Sequence, residues 1–253
     1  MSLLQFFGHT TSIPRSPIVE EPGLLPGKQA VPLLEAAGVS VRLGKTQVLE
    51  SVSLSAFAGE TWLLMGGNGA GKSTLLSILA GVLCPDGGTV RVGPRGTSPA
   101  QAETRRHLGY APDVHPIDLR LSVGEYLWLM GRLQGISEHK LRDRLGTLNE
   151  QWGITEILHV PLDHCSHGMT KRVAIAAALI HDPELLLLDE PEAGLDARAT
   201  TTLIETLRRR SSVRRVNLVA THQPALYVDL RPSNAWLEGG HLAQASEGRS
   251  HAH

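Results

Sequence analysis

The chain has 253 residues with 24 Lys plus Arg against 25 Asp plus Glu, a net charge of −1 with histidine neutral. That length can bury a full core without disulfides, and the balanced charge lacks the cationic excess that neutralises nucleic-acid phosphates, so no nucleic-acid partner is expected. Cys84 and Cys165 stand far apart without C-x-x-C spacing, and the richest apolar run, 173–180, meets His181 and Asp182 well short of the roughly 18 residues a membrane helix needs.

Taken along the chain, residues 1–31 carry Pro14, Pro17, Pro22 and Pro26 with little hydrophobic periodicity, the pattern of a flexible extension. Its apolar start, Leu3, Leu4, Phe6 and Phe7, has no basic region before it and is not expected to be a signal peptide. One domain is expected over 32–245. Val39, Val41 and Leu43, then Val48, Val52 and Leu54, predict two antiparallel strands. Residues 61–65 form a compact apolar run that enters a glycine loop, after which 72–83 reads as a helix stopped near Gly81. Ser122 and Glu125 have capping-box spacing ahead of a helix to Leu133, and Ser137 is placed to cap another carrying Leu141, Leu145 and Leu148. Residues 114–163 are therefore expected to be a helical insert. A helix over 166–180, a strand over 185–188, a helix after Asp196 and a strand over 216–220 follow. Strands alternating with helices make an α/β fold with a parallel sheet covered on both faces. Residues 234–238, Gly239-Gly240 and 241–243 predict a closing hairpin, and 246–253 a disordered tail.

Gly66-Gly67-Asn68-Gly69-Ala70-Gly71-Lys72-Ser73 satisfies G-x-x-x-x-G-K-[ST]. Glycines let backbone N–H groups close around phosphates at a helix N-terminus, Lys72 reaches the β and γ phosphates, and the Ser73 hydroxyl offers a hard oxygen to magnesium; Thr74 completes the nucleotide-binding set. Leu185-Leu186-Leu187-Leu188-Asp189-Glu190 puts two carboxylates at the end of a buried strand, a costly position for charge unless chemistry needs it. Asp189 is read as holding magnesium through water and Glu190 as polarising the attacking water, since phosphoryl transfer needs a placed nucleophile. Alone, a strand-end Asp-Glu is helix-capping more often than catalytic; the glycine loop reverses that balance. His159, Asp163, His164, Cys165 and His167 lack a fixed tetrahedral spacing and read as polar residues approaching a helix rather than a zinc site.

With Cys165-Ser166-His167-Gly168-Met169, Ala193-Gly194-Leu195-Asp196 and Thr221-His222 in the same order, the motif set resembles that of ABC ATPases over residues 33–243. The resemblance implies a P-loop NTPase core of ABC ATPase type with an antiparallel β subdomain and a helical insert, working with ATP and Mg2+. It makes residues 165–169 the signature loop, which contacts ATP held by an opposite subunit, with Ser166 and Gly168 as matching positions. His167 and Met169 replace the commoner Gly and Gln, a variant similar to the ATPase subunits of ABC-2-type exporters. Asp196 then belongs to the D-loop at a dimer interface, and His222 is the switch histidine acting with Glu190 in catalysis. Two positions depart from the family pattern: Asp113 stands where the Q-loop glutamine is expected, with a carboxylate still able to reach magnesium or its water, and Leu43 where an aromatic stacks on adenine. The partners implied are a second ATPase subunit, as a homodimer, and polytopic permease subunits docking beside residues 113–128, which places the chain peripherally on the cytoplasmic face of the cell membrane. Two alternatives stay open: a soluble ABC ATPase acting on a non-transport partner, and a module that holds ATP but hydrolyses it poorly.

Overall fold

The computed structural model describes residues 31–113 and 120–244. The expected extension up to residue 30, the tail at 246–253 and the first residues of the helical insert lie outside the described residues.

Strands β1 (Leu34–Leu43) and β2 (Thr46–Ala56) pair antiparallel, as the two alternating runs predict. A third strand, which the sequence reading missed, lies further on. After β3 (Thr61–Met65) and helix α1 (Lys72–Leu79), β4 (Gly87–Val92) pairs with the other edge of β1 to give the order β2-β1-β4. Its opening Gly87-Gly88 hid it, yet glycine is required there: a Cβ on Gly88 would lie 2.4 Å from the Gly38 carbonyl oxygen. Helix α1 stops at Leu79 with Ala80 as its cap, because Gly81 turns to φ +70°.

The larger sheet has the order β5-β6-β7-β3-β8-β9, from β5 (Leu108–Ala111), β6 (Leu185–Asp189), β7 (Val216–Ala220), β8 (Ser233–Glu238) and β9 (His241–Gln244). All neighbours are parallel except the closing hairpin β8–β9, so the sheet is mixed rather than wholly parallel. Every residue of β6 and β7 is buried. Their continuous apolar runs follow from covering both faces, and the pleat divides them between two cores. Leu185, Leu187 and Leu218 join the core of α1 and the antiparallel sheet, whereas Leu186, Leu188 and Val219 join the core of the helical side. Apart from Asp189 at the end of β6, the one polar residue of the two strands, Asn217, has its amide satisfied by Arg210 at 2.8 Å and by Thr61, Leu207 and Ser211.

The helical side comprises α2 (Val123–Leu133), α3 (Glu138–Trp152), α4 (His167–Leu179) and, after β6, α5 (Ala197–Ser212). Ser122 caps α2 reciprocally with Glu125. Ser137 occupies the equivalent place on α3 without a side-chain bond. Among the described residues no helix is long and apolar enough to cross a membrane.

Candidate functional site

Strands β3, β5, β6 and β7 end at one edge of the parallel sheet, where an α/β architecture places its ligands. The turn from β3 into α1 needs its glycines for separate reasons. Gly66 sits at φ +150° with its Cα so close to β8 that a Cβ would meet the Leu237 carbonyl oxygen at 2.3 Å. Gly71, at φ +103°, packs so close to β2 that a Cβ would lie only 3.1 Å from the Val48 and Leu49 side chains. These contacts fix a loop whose amides face an open cleft of about 580 Å3. Gly67, Asn68, Gly69, Ala70, Gly71, Lys72, Ser73 and Thr74 line it, together with Leu43, Val48, Asp113, Asp189, Glu190 and His222. The exposed Leu43 and the half-buried Val48 give the cleft its apolar wall.

Lys72 is only 7 % exposed and folds back across the loop, its Nζ donating to the Gly66 carbonyl at 2.9 Å and the Gly67 carbonyl at 3.3 Å. It also lies 2.9 Å from His222 Nε2. The ammonium is thus held by soft, exchangeable partners within reach of an anion.

Across the cleft, Asp189 is 2 % exposed and its Oδ1 has no hydrogen-bond partner. Burial pushes its pKa up; the Ser73 hydroxyl lowers it, the nearby Asp113 charge raises it and Lys171 lowers it. An orphaned carboxylate oxygen beside a serine hydroxyl is a fitting donor set for a hard divalent cation such as magnesium.

Glu190 has φ +46°, unusual for a side-chain-bearing residue, and is pinned by its N–H donating to Ala220 of β7 at 2.9 Å. Its Oε2 accepts the His222 backbone N–H at 3.2 Å, and Oε1 lies 3.2 Å from His222 Nε2 and 3.9 Å from Lys72 Nζ. Burial first, then the charge of Glu192, raises the Glu190 pKa, with His222 and Lys72 opposing. The arrangement is a half-shielded carboxylate in contact with a lysine and a histidine on the wall of the cleft, fit to take a proton from water.

Asp113 lines the cleft beside Asp189 and is held there by a lysine. Its Oδ1 accepts from Lys171 Nζ at 2.9 Å, an ion pair that uses the carboxylate expected to turn towards a cation. Ser166, His167, Gly168, Met169 and Asp196 are brought together, but around a second cleft apart from the first. Ser166 caps α4 by accepting the Met169 N–H at 3.3 Å, and the Met169 sulfur receives the Ser166 N–H at 3.5 Å, so methionine fills the reciprocal place usually taken by Glu or Gln. A Cβ on Gly168 would lie 2.4 Å from the Gly194 carbonyl oxygen, and one on Gly194 2.5 Å from the His167 ring. The two loops are therefore packed as one surface. Asp196 caps α5 through the Ala199 N–H at 2.7 Å.

Sequence reasoning missed Glu192 and Lys171 as site residues. Glu192 is 5 % exposed and accepts hydrogen bonds from Thr221 and, at 2.6 Å, from the Tyr227 hydroxyl, whose pKa burial and the Glu192 charge raise. Thr221 immediately precedes His222, so this carboxylate anchors the turn that presents the histidine. Only the three-dimensional meeting of separate segments reveals it. Lys171 did leave a signal: it shares a helical face with the buried Ala174, Ile175 and Ala178, a position where an unpaired lysine is rare.

The chain matches the family described as ABC transporter over residues 49–193. It is 30 % identical over 190 residues to the linearmycin resistance ATP-binding protein LnrL of Bacillus subtilis, covering 75 % of this chain and 61 % of that one. It is 34 % identical over 198 residues to the Nod factor export ATP-binding protein I of Ralstonia nicotianae, covering 78 % and 61 %. The chain thus spans about three fifths of the length of these curated relatives. A solved ATP-binding subunit of an ABC transporter superposes with a TM-score of 0.78 at 30 % identity, over 85 % of this chain and 90 % of that one.

Proposed function

The chain belongs to the ABC transporter family, and from that premise we propose that it binds and hydrolyses ATP as the motor of a transporter, working as a dimer and driving export through separate membrane subunits. The observation that carries this reading is the convergence, in one cleft, of a phosphate-binding loop with two buried or half-buried carboxylates, one of which, Asp189, has a buried oxygen that accepts no hydrogen bond. The relatives named for resistance and export favour the export direction.

The mechanism follows from the groups in the cleft. The amides of residues 67–72 bind the phosphates, and Lys72 exchanges its carbonyl partners for phosphate oxygens. Ser73, and Asp189 through water, would hold magnesium, which supplies neutralisation of phosphate charge when bound. Glu190 accepts the proton of the attacking water as ATP and water become ADP and phosphate. His222, fixed by Lys72 and Glu190 and backed by the Glu192–Thr221 contact, orients that water and the γ phosphate. Ser166 and Gly168, lying outside this chain's own cleft, suit a role on a partner's nucleotide. Leu43 and Val48 give adenine an apolar surface rather than an aromatic one.

A cleft of about 510 Å3 beside α2, lined by Tyr110, Pro112, Tyr126 and Met130, supports docking of a permease segment at the helical insert. Phosphate release by purified protein, compared between the free chain and the chain captured from gently solubilised membranes, tests the whole reading. Recovery of a polytopic protein that changes turnover is the expected result. Hydrolysis by a chain that stays without a membrane partner would favour a soluble ATPase, and absence of hydrolysis a nucleotide-binding module.

A further inference from the structure

The Lys171 side chain is 2 % exposed, yet it carries an ammonium group. Its Nζ donates to Asp113 Oδ1 at 2.9 Å, to the Asp113 backbone carbonyl at 3.5 Å and to the Asp189 backbone carbonyl at 3.4 Å. One buried cation thus reaches the end of β5, the end of β6 and, through its own backbone, the second turn of α4. The next residue, Arg172, points the other way and donates to the carbonyls of Trp152 and Gly153 at the end of α3. The N-terminal part of α4 is therefore clamped on both sides, by Lys171 to the nucleotide cleft and by Arg172 to the helical insert. Gly168, three residues before Lys171, lies against Gly194 and belongs to the second cleft.

We propose that Lys171 is a positioning residue for hydrolysis, locking Asp113 and the strand end that carries Asp189 to the helix that presents Ser166–Met169. The proposal rests on the ATPase reading above and goes beyond it: Asp113 serves here as the anchor of a lysine, not as a ligand of the cation. The departure from glutamine at residue 113 is matched by a cation on α4. A neutral side chain at one position leaves the other's charge without its partner, and the deeper charge is the costlier one to strand. Movement of Asp113 or Asp189 on nucleotide binding is transmitted to α4 through this contact, because a close-packed interior passes displacement on rather than absorbing it.

The test is a double-mutant cycle in the full chain, reading kcat, KM for ATP and thermal midpoint. Lys171→Gln is expected to lower kcat about tenfold or more while KM stays within about threefold, the signature of lost positioning rather than lost binding. Asp113→Gln, which strands the buried ammonium, is expected to be the least stable of the set. The double variant Asp113→Gln/Lys171→Gln, with two neutral amides facing each other, is expected to return to within about threefold of the unmodified kcat, as coupled neighbours do and independent sites do not. Unchanged kcat in Lys171→Gln overturns the proposal. So does a double variant at least as impaired as Lys171→Gln, or a lowered thermal midpoint with kcat per folded molecule unaltered. Absence of phosphate release from the unmodified chain would instead overturn the ATPase reading, so the two failures are separable.

Discussion

The end of β3 and the end of β6 face each other across one cleft, but they are built from different materials. The β3 end works with its backbone: Gly66 and Gly71 let the chain pass so close to β8 and β2 that side chains have no room, and the amides are left to bind. The β6 end works with side chains, Asp189 and Glu190, whose charges are held where water would otherwise hydrate them. The first end therefore has no room for added atoms at Gly66 and little at Gly71, and the second tolerates no changed charge. Damage at the first should appear as lost folding or binding, damage at the second as lost turnover.

The largest effect expected on that contrast is from Gly66→Ala, whose new Cβ would overlap the Leu237 carbonyl at 2.3 Å and sit at an unfavourable φ. A loss of about 4 kcal/mol or more in urea unfolding is expected, against about 1 kcal/mol or less for Gly67→Ala, where nothing lies within 4 Å of the added carbon. Next comes Glu190→Gln, expected to cut phosphate release about a hundredfold or more while equilibrium ATP affinity stays within about threefold. Equal losses in affinity and turnover there would break the division of labour.

An acid titration separates chemical loss from unfolding. His181, at the opposite edge of the sheet, donates to the Leu108 carbonyl from a buried site that lowers its pKa from 6.5 to about 4. Between those values the unfolded chain binds a proton that the folded chain does not, so stability falls as pH drops through that window. His181→Gln should recover up to about 3 kcal/mol of stability near pH 4 relative to the unmodified chain, measured by denaturant unfolding. The smallest effect expected is from Tyr227→Phe, which leaves the buried Glu192 with one hydroxyl donor instead of two. A stability loss of about 1–2 kcal/mol should accompany a modest drop in kcat, through a loosened His222 turn, with ATP affinity unchanged.

The backbone-built end was legible in the sequence because its glycines, lysine and serine are contiguous. So were strands β3, β6 and β7, whose apolar runs are set by burial on both faces, and the cap at Ser122, which acts over three residues. What escaped was whatever depends on distant segments meeting. Strand β4 exists because β1 offers it an edge, despite opening with two glycines. The ion pair of Asp113 is invisible in the sequence because its partner, Lys171, lies 58 residues on. Glu192 lies two residues from Glu190, but its meaning comes from Tyr227 on a segment beyond β7.

The position of β3 also bears on how such a chain is made. Its two neighbours, β7 and β8, both come from the last quarter of the molecule; Thr61 pairs with Asn217, 156 residues later, and Met65 with Trp236. During synthesis, the apolar strand leading into the phosphate loop has neither edge satisfied until nearly the whole domain has emerged. Contacts of such long sequence separation slow folding and leave an unpaired strand open to wrong partners. The segment most recognisable in the sequence is thus among the last to gain a fixed shape, and a ribosome-bound chain stopped before residue 216 would carry the motif without the site.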